Sequence, residues 1–331
     1  MQRPALSVVI PVYNEAAGLP ALFARLYAAL DQLGIPYEII FVNDGSHDRS
    51  AALLRQQFER RPEVTRVVLF NANYGQHLAI MAGFQYSHGS RIVTLDADLQ
   101  NPPEEIGKLL AKMDEGFDYV GGVRAERHDT WFRRHASRLM NRLRERTTRI
   151  HMTDQGCMLR AYDRPIVDAI NRCEEVNTFI PALAYTFSSN PTEVEVAHEE
   201  RAVGTTKYSL YKLVRLNFDL VTGFSLAPLQ AFSLVGFLLA ASSTGVVIFQ
   251  VLHRLLRGQA AEGMFQSVAE AMQFFLFGVV LFGIGLLGEY IGRIYQEVLR
   301  RPRFIVSAVL EQPPGEGVPS QHVLRNASVQ R

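Results

Sequence analysis

The chain is short of cysteine, tryptophan and net charge. Its 331 residues include two cysteines and one tryptophan, and carry a formal net charge of +1. Cys157 and Cys173 are too few for a disulfide framework and are spaced unlike a metal knuckle, so they read as buried thiols in a reducing compartment. Balanced charge gives no bulk electrostatic footprint for nucleic acid, and no such partner is expected. The N-terminus has no long apolar core and runs directly into a strand pattern, so no secretory signal is read there. Long apolar runs, by contrast, are present. Residues 229–252 and 271–288 contain no charged side chain, and each is about the length of a bilayer-spanning helix. Lys207, Lys212 and Arg215 precede the first run, and Arg293, Arg300, Arg301 and Arg303 follow the second. The linker, 253–270, offsets Arg254 and Arg257 with Glu262 and Glu270. The positive-inside rule then predicts a membrane hairpin, 229–252 and 271–295, with a cytoplasmic N-terminal domain, an external linker and both termini cytoplasmic.

Upstream, apolar stretches at 7–11, 37–42, 64–69 and 91–95 alternate with helical patterns at 19–33, 50–60 and 77–87. This predicts an α/β domain over 1–207, with a mostly parallel sheet covered on both faces. Ligands of such sheets sit beyond the strands' carboxyl ends. Polar clusters fall there in this chain, at 11–15, 43–46, 71–77 and 96–100. The last is the most informative. Asp96 and Asp98, separated by one small residue at a strand's end, suit a hard divalent cation and an anion that it bridges. Asn101, Pro102 and Pro103 then stop the strand and open a helix with Glu104 and Glu105 in its first turn. A metal-held diphosphate at that place is the chemistry of a sugar-nucleotide transferase, although a polar turn explains the pattern as well.

Residues 131–150 set Trp131, Phe132, Ala136, Leu139, Met140 and Leu143 at helical spacing, with Arg133, Arg134, Arg138, Arg142, Arg146 and Arg149 on the remaining faces. A basic amphipathic helix of this kind suits an anionic membrane surface, or a solvated charged face. Residues 208–226 read as a second interfacial helix, with Leu210, Leu213, Val214 and Val221 opposite Lys212, Arg215 and Asp219. The tail from 311 is rich in Pro and Gly and reads as disordered.

The segments Ser7-Val-Val-Ile-Pro-Val-Tyr-Asn-Glu15, Val42-Asn-Asp-Gly-Ser46 and Asp96-Ala-Asp-Leu-Gln100 together resemble the family 2 glycosyltransferases. Arg201-Ala-Val-Gly-Thr-Thr-Lys-Tyr208 followed by two spans resembles the branch that charges polyprenyl phosphates. Asn73-Tyr-Gly-Gln-His77, Gly156-Cys-Met-Leu-Arg-Ala-Tyr162, Thr178-Phe-Ile-Pro181 and 285–295 are similar to a narrower bacterial group, which moves 4-deoxy-4-formamido-L-arabinose onto undecaprenyl phosphate. The likeness covers roughly residues 5–306. One departure stands out. Many relatives carry Asp where this chain has Asn43, so only Asp44 can serve as the second strand's carboxylate.

The resemblance implies a GT-A fold (Rossmann-like), a UDP-sugar donor, an undecaprenyl phosphate acceptor, Mg²⁺ or Mn²⁺, and inverting transfer in lipid A modification and polymyxin resistance. It also implies a homo-oligomer, such as a tetramer, in the bacterial inner membrane. Pro11, Tyr13 and Glu15 would line the base and ribose pocket, and Asp44 would accept hydrogen bonds from the uracil. Asp98 would hold the metal, with Gln100 completing the shell and Asp96 on the ribose or the metal. Arg133 and Ser137 match the acceptor-phosphate spacing, and Arg124, Arg201 and Lys207 match further basic positions. Asp96, Asp98 and Arg201 are the catalytic candidates. Asp154 shapes the Gly156 loop or acts as a base. His77 is a donor contact or a hydrogen-bonded loop residue. Glu289 is an intramembrane functional carboxylate or a partner of Arg293. Transfer of glucose or another hexose, and a non-catalytic membrane sensor of sugar nucleotides, are the alternatives. A processive polymer synthase fits less well, since Trp131 lacks a Gln-x-x-Arg-Trp context.

Overall fold

The computed structural model describes residues 4–124, 152–154, 156–173, 179–199, 227–257, 262–299, 302–312 and 320–322. The predicted helices at 131–150 and 208–226, and with them Arg133, Ser137, Arg201 and Lys207, lie outside the described residues, as does the Arg293 side chain.

Four strands alternate with three helices: β1 Leu6–Val12, α1 Leu19–Gln32, β2 Tyr37–Asn43, α2 Ser50–Arg60, β3 Thr65–Phe70, α3 Gln76–Gln85 and β4 Arg91–Thr94. A short 3-10 turn, Pro103–Glu105, leads into α4 Ile106–Asp114. There follow β5 Tyr119–Arg124, β6 Arg160–Asp163, α5 Arg164–Arg172, α6 Ile180–Phe187 and β7 Pro191–Val196. Two long helices come next, α7 Ala227–Arg257 and α8 Glu262–Val298, and then β8 Val306–Glu311 and β9 Ser320–His322.

The strands form one sheet in the order β7-β5-β6-β4-β1-β2-β3-β8-β9. The four predicted strands are its parallel centre, β4-β1-β2-β3. Around them β6 runs antiparallel to β4 and β5, and β7 runs parallel to β5. The centre is apolar on both faces because it is covered on both. Leu6, Val8, Ile10 and Val12 pack in a core with Leu19, Leu22, Leu26 and Leu30, the inward stripe of α1. On the other face, a Cβ at Gly83 of α3 would lie 2.2 Å from Val9 Cγ1, so this helix approaches β1 closely only because that position is glycine.

The C-terminal segment departs from expectation. β8 adds antiparallel to β3, and β9, within the stretch read as disordered, pairs with β8. The outer edge of β3 offers unpaired N–H and C=O groups, which a returning strand satisfies. Phe304, just before β8, stacks on Phe70 with ring centroids 4.9 Å apart.

The nine strands and first six helices make one compact unit, and α7 with α8 make a second. α7 encloses the first predicted span and α8 the second; helix continues through most of what was read as linker. Within this unit a Gly283 Cβ would lie 2.1 Å from Phe232 Cζ, so the phenyl ring of α7 sits directly on the α8 backbone. Among the described residues one window, Phe275–Gly292, is long and apolar enough to cross a membrane, and 11% of it is buried.

Candidate active site

The parallel register brings the carboxyl ends of β1, β2 and β3 level, with Val12 opposite Asn43 and Asn43 opposite Leu69. The loops that leave these ends interlock. Asn14, with a positive φ of 55°, donates its N–H to Ser46 Oγ at 3.0 Å and accepts from His47 N at 2.9 Å. Glu15 N reaches Ser50 Oγ at 3.0 Å, and Ala16 N reaches Asp48 Oδ2 at 3.0 Å. Tyr13 stays exposed beside His47, while Pro11, still within β1, is half-buried.

Asp44 is buried and already engaged. Its Oδ1 accepts from Tyr74 N at 2.6 Å, and its Oδ2 accepts from Asn73 Nδ2 and Gly75 N, both at 2.9 Å. Burial raises its carboxyl above the usual range, and the amides of Tyr74 and Gly75 work against that rise. The 71–75 loop is pressed onto this strand end: a Cβ at Gly45 (φ 62°) would come 2.3 Å from the Ala72 carbonyl carbon.

Asp96 and Asp98 follow β4. Leu95 N bonds to Val9 O at 3.1 Å and carries the sheet up to the acidic pair. Leu95 and Ala97 are buried, and Leu99 takes a positive φ of 59°. Asp98 Oδ1 accepts from Gln100 N at 3.1 Å, an Asx turn that explains a tolerated left-handed residue here. Asp96 Oδ1 accepts from Gln76 Nε2 at 2.6 Å. The Asp96 carboxyl is pushed up to about 7, first by burial and then by the charge of Asp98; Glu15 adds to the rise, and Arg124 opposes it. Glu15 is close by, since its Oε2 and the Ala97 carbonyl lie 3.8 and 3.9 Å from an imagined Gly18 Cβ.

Two connections lead away from the pair. Arg124, at the end of β5, forks onto buried Asp154. Glu199 donates its N–H to Gln100 O at 2.8 Å, and its carboxylate is clasped by Arg25 at 2.9 Å. Glu199 is the last described residue before the segment that holds Arg201 and Lys207. Of the predicted residues, Glu15, Asp96, Asp98, Gln100 and Arg124 come together, and Asp44 is tied to the neighbouring loop.

His77 resolves toward a packed residue. Its ring lies edge-on to Phe179 at 5.3 Å, and its Nδ1 is buried without a hydrogen-bond partner. Burial, then the charge of Arg160, lowers its pKa to about 4, so the ring is neutral at pH 7. Burial pushes the Cys157 thiol up to about 11, and half-buried Cys173 donates from Sγ to Ala169 O at 3.4 Å. Sequence reasoning missed Gln76, the hydrogen-bond donor to Asp96, and Arg160, a fully buried guanidinium. Both lie in segments singled out by resemblance, which was their only signal.

The glycosyl transferase family 2 model matches residues 7–170. The undecaprenyl-phosphate 4-deoxy-4-formamido-L-arabinose transferase of Serratia proteamaculans (strain 568) is 50% identical over 93% of this chain and 95% of its own. The chain belongs to glycosyl transferase family 2. A relative of the same name from Aeromonas hydrophila subsp. hydrophila is 49% identical over 92% of this chain and 94% of its own. In fold, this family 2 chain is similar to glucosyl-3-phosphoglycerate synthase from Mycobacterium tuberculosis, solved with Mn²⁺, uridine diphosphate and phosphoglyceric acid. The TM-score is 0.51 at 16% identity, covering 68% of this chain and 78% of that one.

A divalent cation fits this family 2 site. Burial first, and then the like charge of Asp98, hold the Asp96 carboxyl near neutral pKa, and a cation beside the pair would oppose both. Among the described residues no cluster of three or more His, Cys, Asp or Glu is suited to a metal. Mg²⁺-type ions are commonly held by one or two carboxylates together with substrate phosphates, which matches an acidic pair.

Proposed function

We propose that this chain transfers 4-deoxy-4-formamido-L-arabinose from uridine diphosphate to undecaprenyl phosphate, with inversion, using Mg²⁺ or Mn²⁺ held by Asp98, Asp96 and Gln100. The relatives named for that reaction match nearly end to end. The observation that carries the reading is the junction at the acidic pair: Arg124 acts on Asp96, and Glu199 is bonded to Gln100. The segments bearing Arg133 and Ser137, and Arg201 and Lys207, thus both depart from the place where the donor's diphosphate would lie.

In this reading Pro11, Tyr13 and Glu15 line the base and ribose. A carboxylate has about four acceptor positions; Asp44 uses three on the 71–75 loop and offers the remaining one to the uracil. Arg124, Arg201 and Lys207 hold the diphosphate, and Arg133 and Ser137 hold the acceptor phosphate. The acceptor needs no base, since a phosphate monoester has its second pKa near ~6 and is anionic at neutral pH. Its oxygen bonds to the anomeric carbon as the bond to the diphosphate breaks, and UDP leaves with the electron pair. When bound, the cation neutralises charge on that leaving group. α7 and α8 form a membrane hairpin with the catalytic unit on the cytoplasmic side, in a homo-oligomer of the bacterial inner membrane. Phe237 (69% exposed) and Phe282 (67% exposed) suit a lipid surround rather than water.

A panel of UDP-sugars with undecaprenyl phosphate and Mn²⁺, read by the mass of the lipid product, tests the proposal. The formamido-arabinosyl lipid is expected. A product only from glucose or another hexose would replace the sugar, and UDP binding without turnover of any donor would indicate a sensor.

A further inference from the structure

Beside the acidic pair, three residues make one connected assembly. Arg160, fully buried on β6, donates from Nη2 to Asp154 O at 2.6 Å and from Nε to Cys157 O at 2.7 Å, and also donates to the Tyr119 hydroxyl. It fastens the turn before β6 by its carbonyls. That turn presents Asp154, 2% exposed, whose Oδ2 accepts from Arg124 Nε at 2.6 Å and whose Oδ1 accepts from Arg124 Nη2 at 2.8 Å. Gly156 N also donates to Asp154 Oδ1, at 3.1 Å. A Cβ at position 156 would lie 2.8 Å from Arg124 Nη2 and would press the guanidinium out of its place.

A carboxylate gripped on both oxygens by a guanidinium fork is a poor proton acceptor, because protonating it would leave a buried cation unpaired. Nor does such a buried pair contribute much net stability once desolvation is counted. What it does deliver is a guanidinium fixed in place, with Nε and Nη2 used and Nη1 available, and with its charge felt at Asp96. We propose that Asp154 is a positioning residue for the donor: it holds Arg124 against the diphosphate of the UDP-sugar, and it is not the base. This rests on the transferase reading above.

Calorimetric binding of UDP with Mn²⁺ tests it without requiring transfer. Asp154→Asn and Arg124→Gln should each weaken UDP roughly 10–100-fold, the usual range for losing a partner that orients a ligand-binding group. The double variant should be no worse than the poorer single, because both remove the same contact. The kcat–pH profile should keep its shape. Gly156→Ala leaves both charges in place and only crowds Nη2; a several-fold weakening is expected, and this variant carries the test should Asp154→Asn fold poorly. Unchanged UDP affinity, multiplied losses in the double variant, or loss of the acidic limb of kcat against pH in Asp154→Asn would overturn the inference. Wild-type protein that binds UDP but transfers no sugar would instead overturn the assigned reaction, leaving the binding comparison to decide this one.

Discussion

Asp44 and Asp96 stand just past the ends of the two strands that flank β1, yet they live in opposite conditions. Asp44 is surrounded by donors: Asn73, Tyr74 and Gly75 fill its oxygens and tie the 71–75 loop to the sheet. Asp96 accepts a hydrogen bond from the Gln76 amide, and it faces the like charges of Asp98 and Glu15. Burial raises both carboxyls, but donors oppose the rise at Asp44 and like charges add to it at Asp96. Carboxylates near the same rim of a parallel sheet thus divide into one that builds the site and one that waits for a counter-charge.

The sharpest way to break this comparison is through activity. Asp98→Ala should lower transfer by roughly a thousandfold, the scale of removing one preorganised electrostatic contact to a transition state, while leaving thermal stability near wild type. Product formation with Mn²⁺, and with a chelator in its place, checks it; full transfer by the variant under chelation would remove the metal from the mechanism. Asp44→Ala should act in the opposite sense. It takes the acceptor from the half-buried amides of Tyr74 and Gly75, so a loss of about 1–2 kcal/mol is expected, at the low end of the ~1–3 kcal/mol an unsatisfied group costs. Denaturant unfolding reads it, and an unchanged midpoint would mean that the loop stands without Asp44.

The smallest effect concerns pH. The native Asp96 carboxyl is held at about 7 against an ordinary aspartate value of 3.8. Between those values the folded protein keeps a proton that the unfolded chain has lost. The contribution of this group to stability therefore falls as pH rises through that window, and is fully lost above it. Asp96→Asn should remove the dependence and raise the melting temperature of metal-free protein at pH 8 by roughly 2–4 °C, about 1 kcal/mol for a chain of this size. Equal melting temperatures for variant and wild type at pH 8 would show that Asp96 carries no such penalty.

Much of the fold was legible. β1 to β4 are buried on both faces, so their residues form continuous apolar runs, and the following loops announce themselves by polarity. β5 to β7 were not read. They are short, β5 carries Gly121 and Gly122, and β7 is a half-exposed edge with Glu193 and Glu195. β8 was missed because Val306–Glu311 looks like tail until the edge of β3 is set beside it. Within the site, Asp96, Asp98 and Glu15 were legible as chemistry at strand ends, and Arg124 only through the resemblance. Asp154 was read as shaping the Gly156 loop, and it accepts from Gly156 N; its pairing with Arg124, and the parts of Gln76 and Arg160, were not legible, since each depends on a partner brought near by folding.

The sequence by itself determined the parallel centre, the place of the acidic pair and the two long helices, because periodicity, apolar run length and strand-end composition are local properties. Tertiary structure alone decided which carboxylate is filled with donors and which faces like charge, and which arginine is held by a buried carboxylate. Hydrogen-bond partners and neighbouring charges come from strands and loops far apart in the chain, and no local pattern records them.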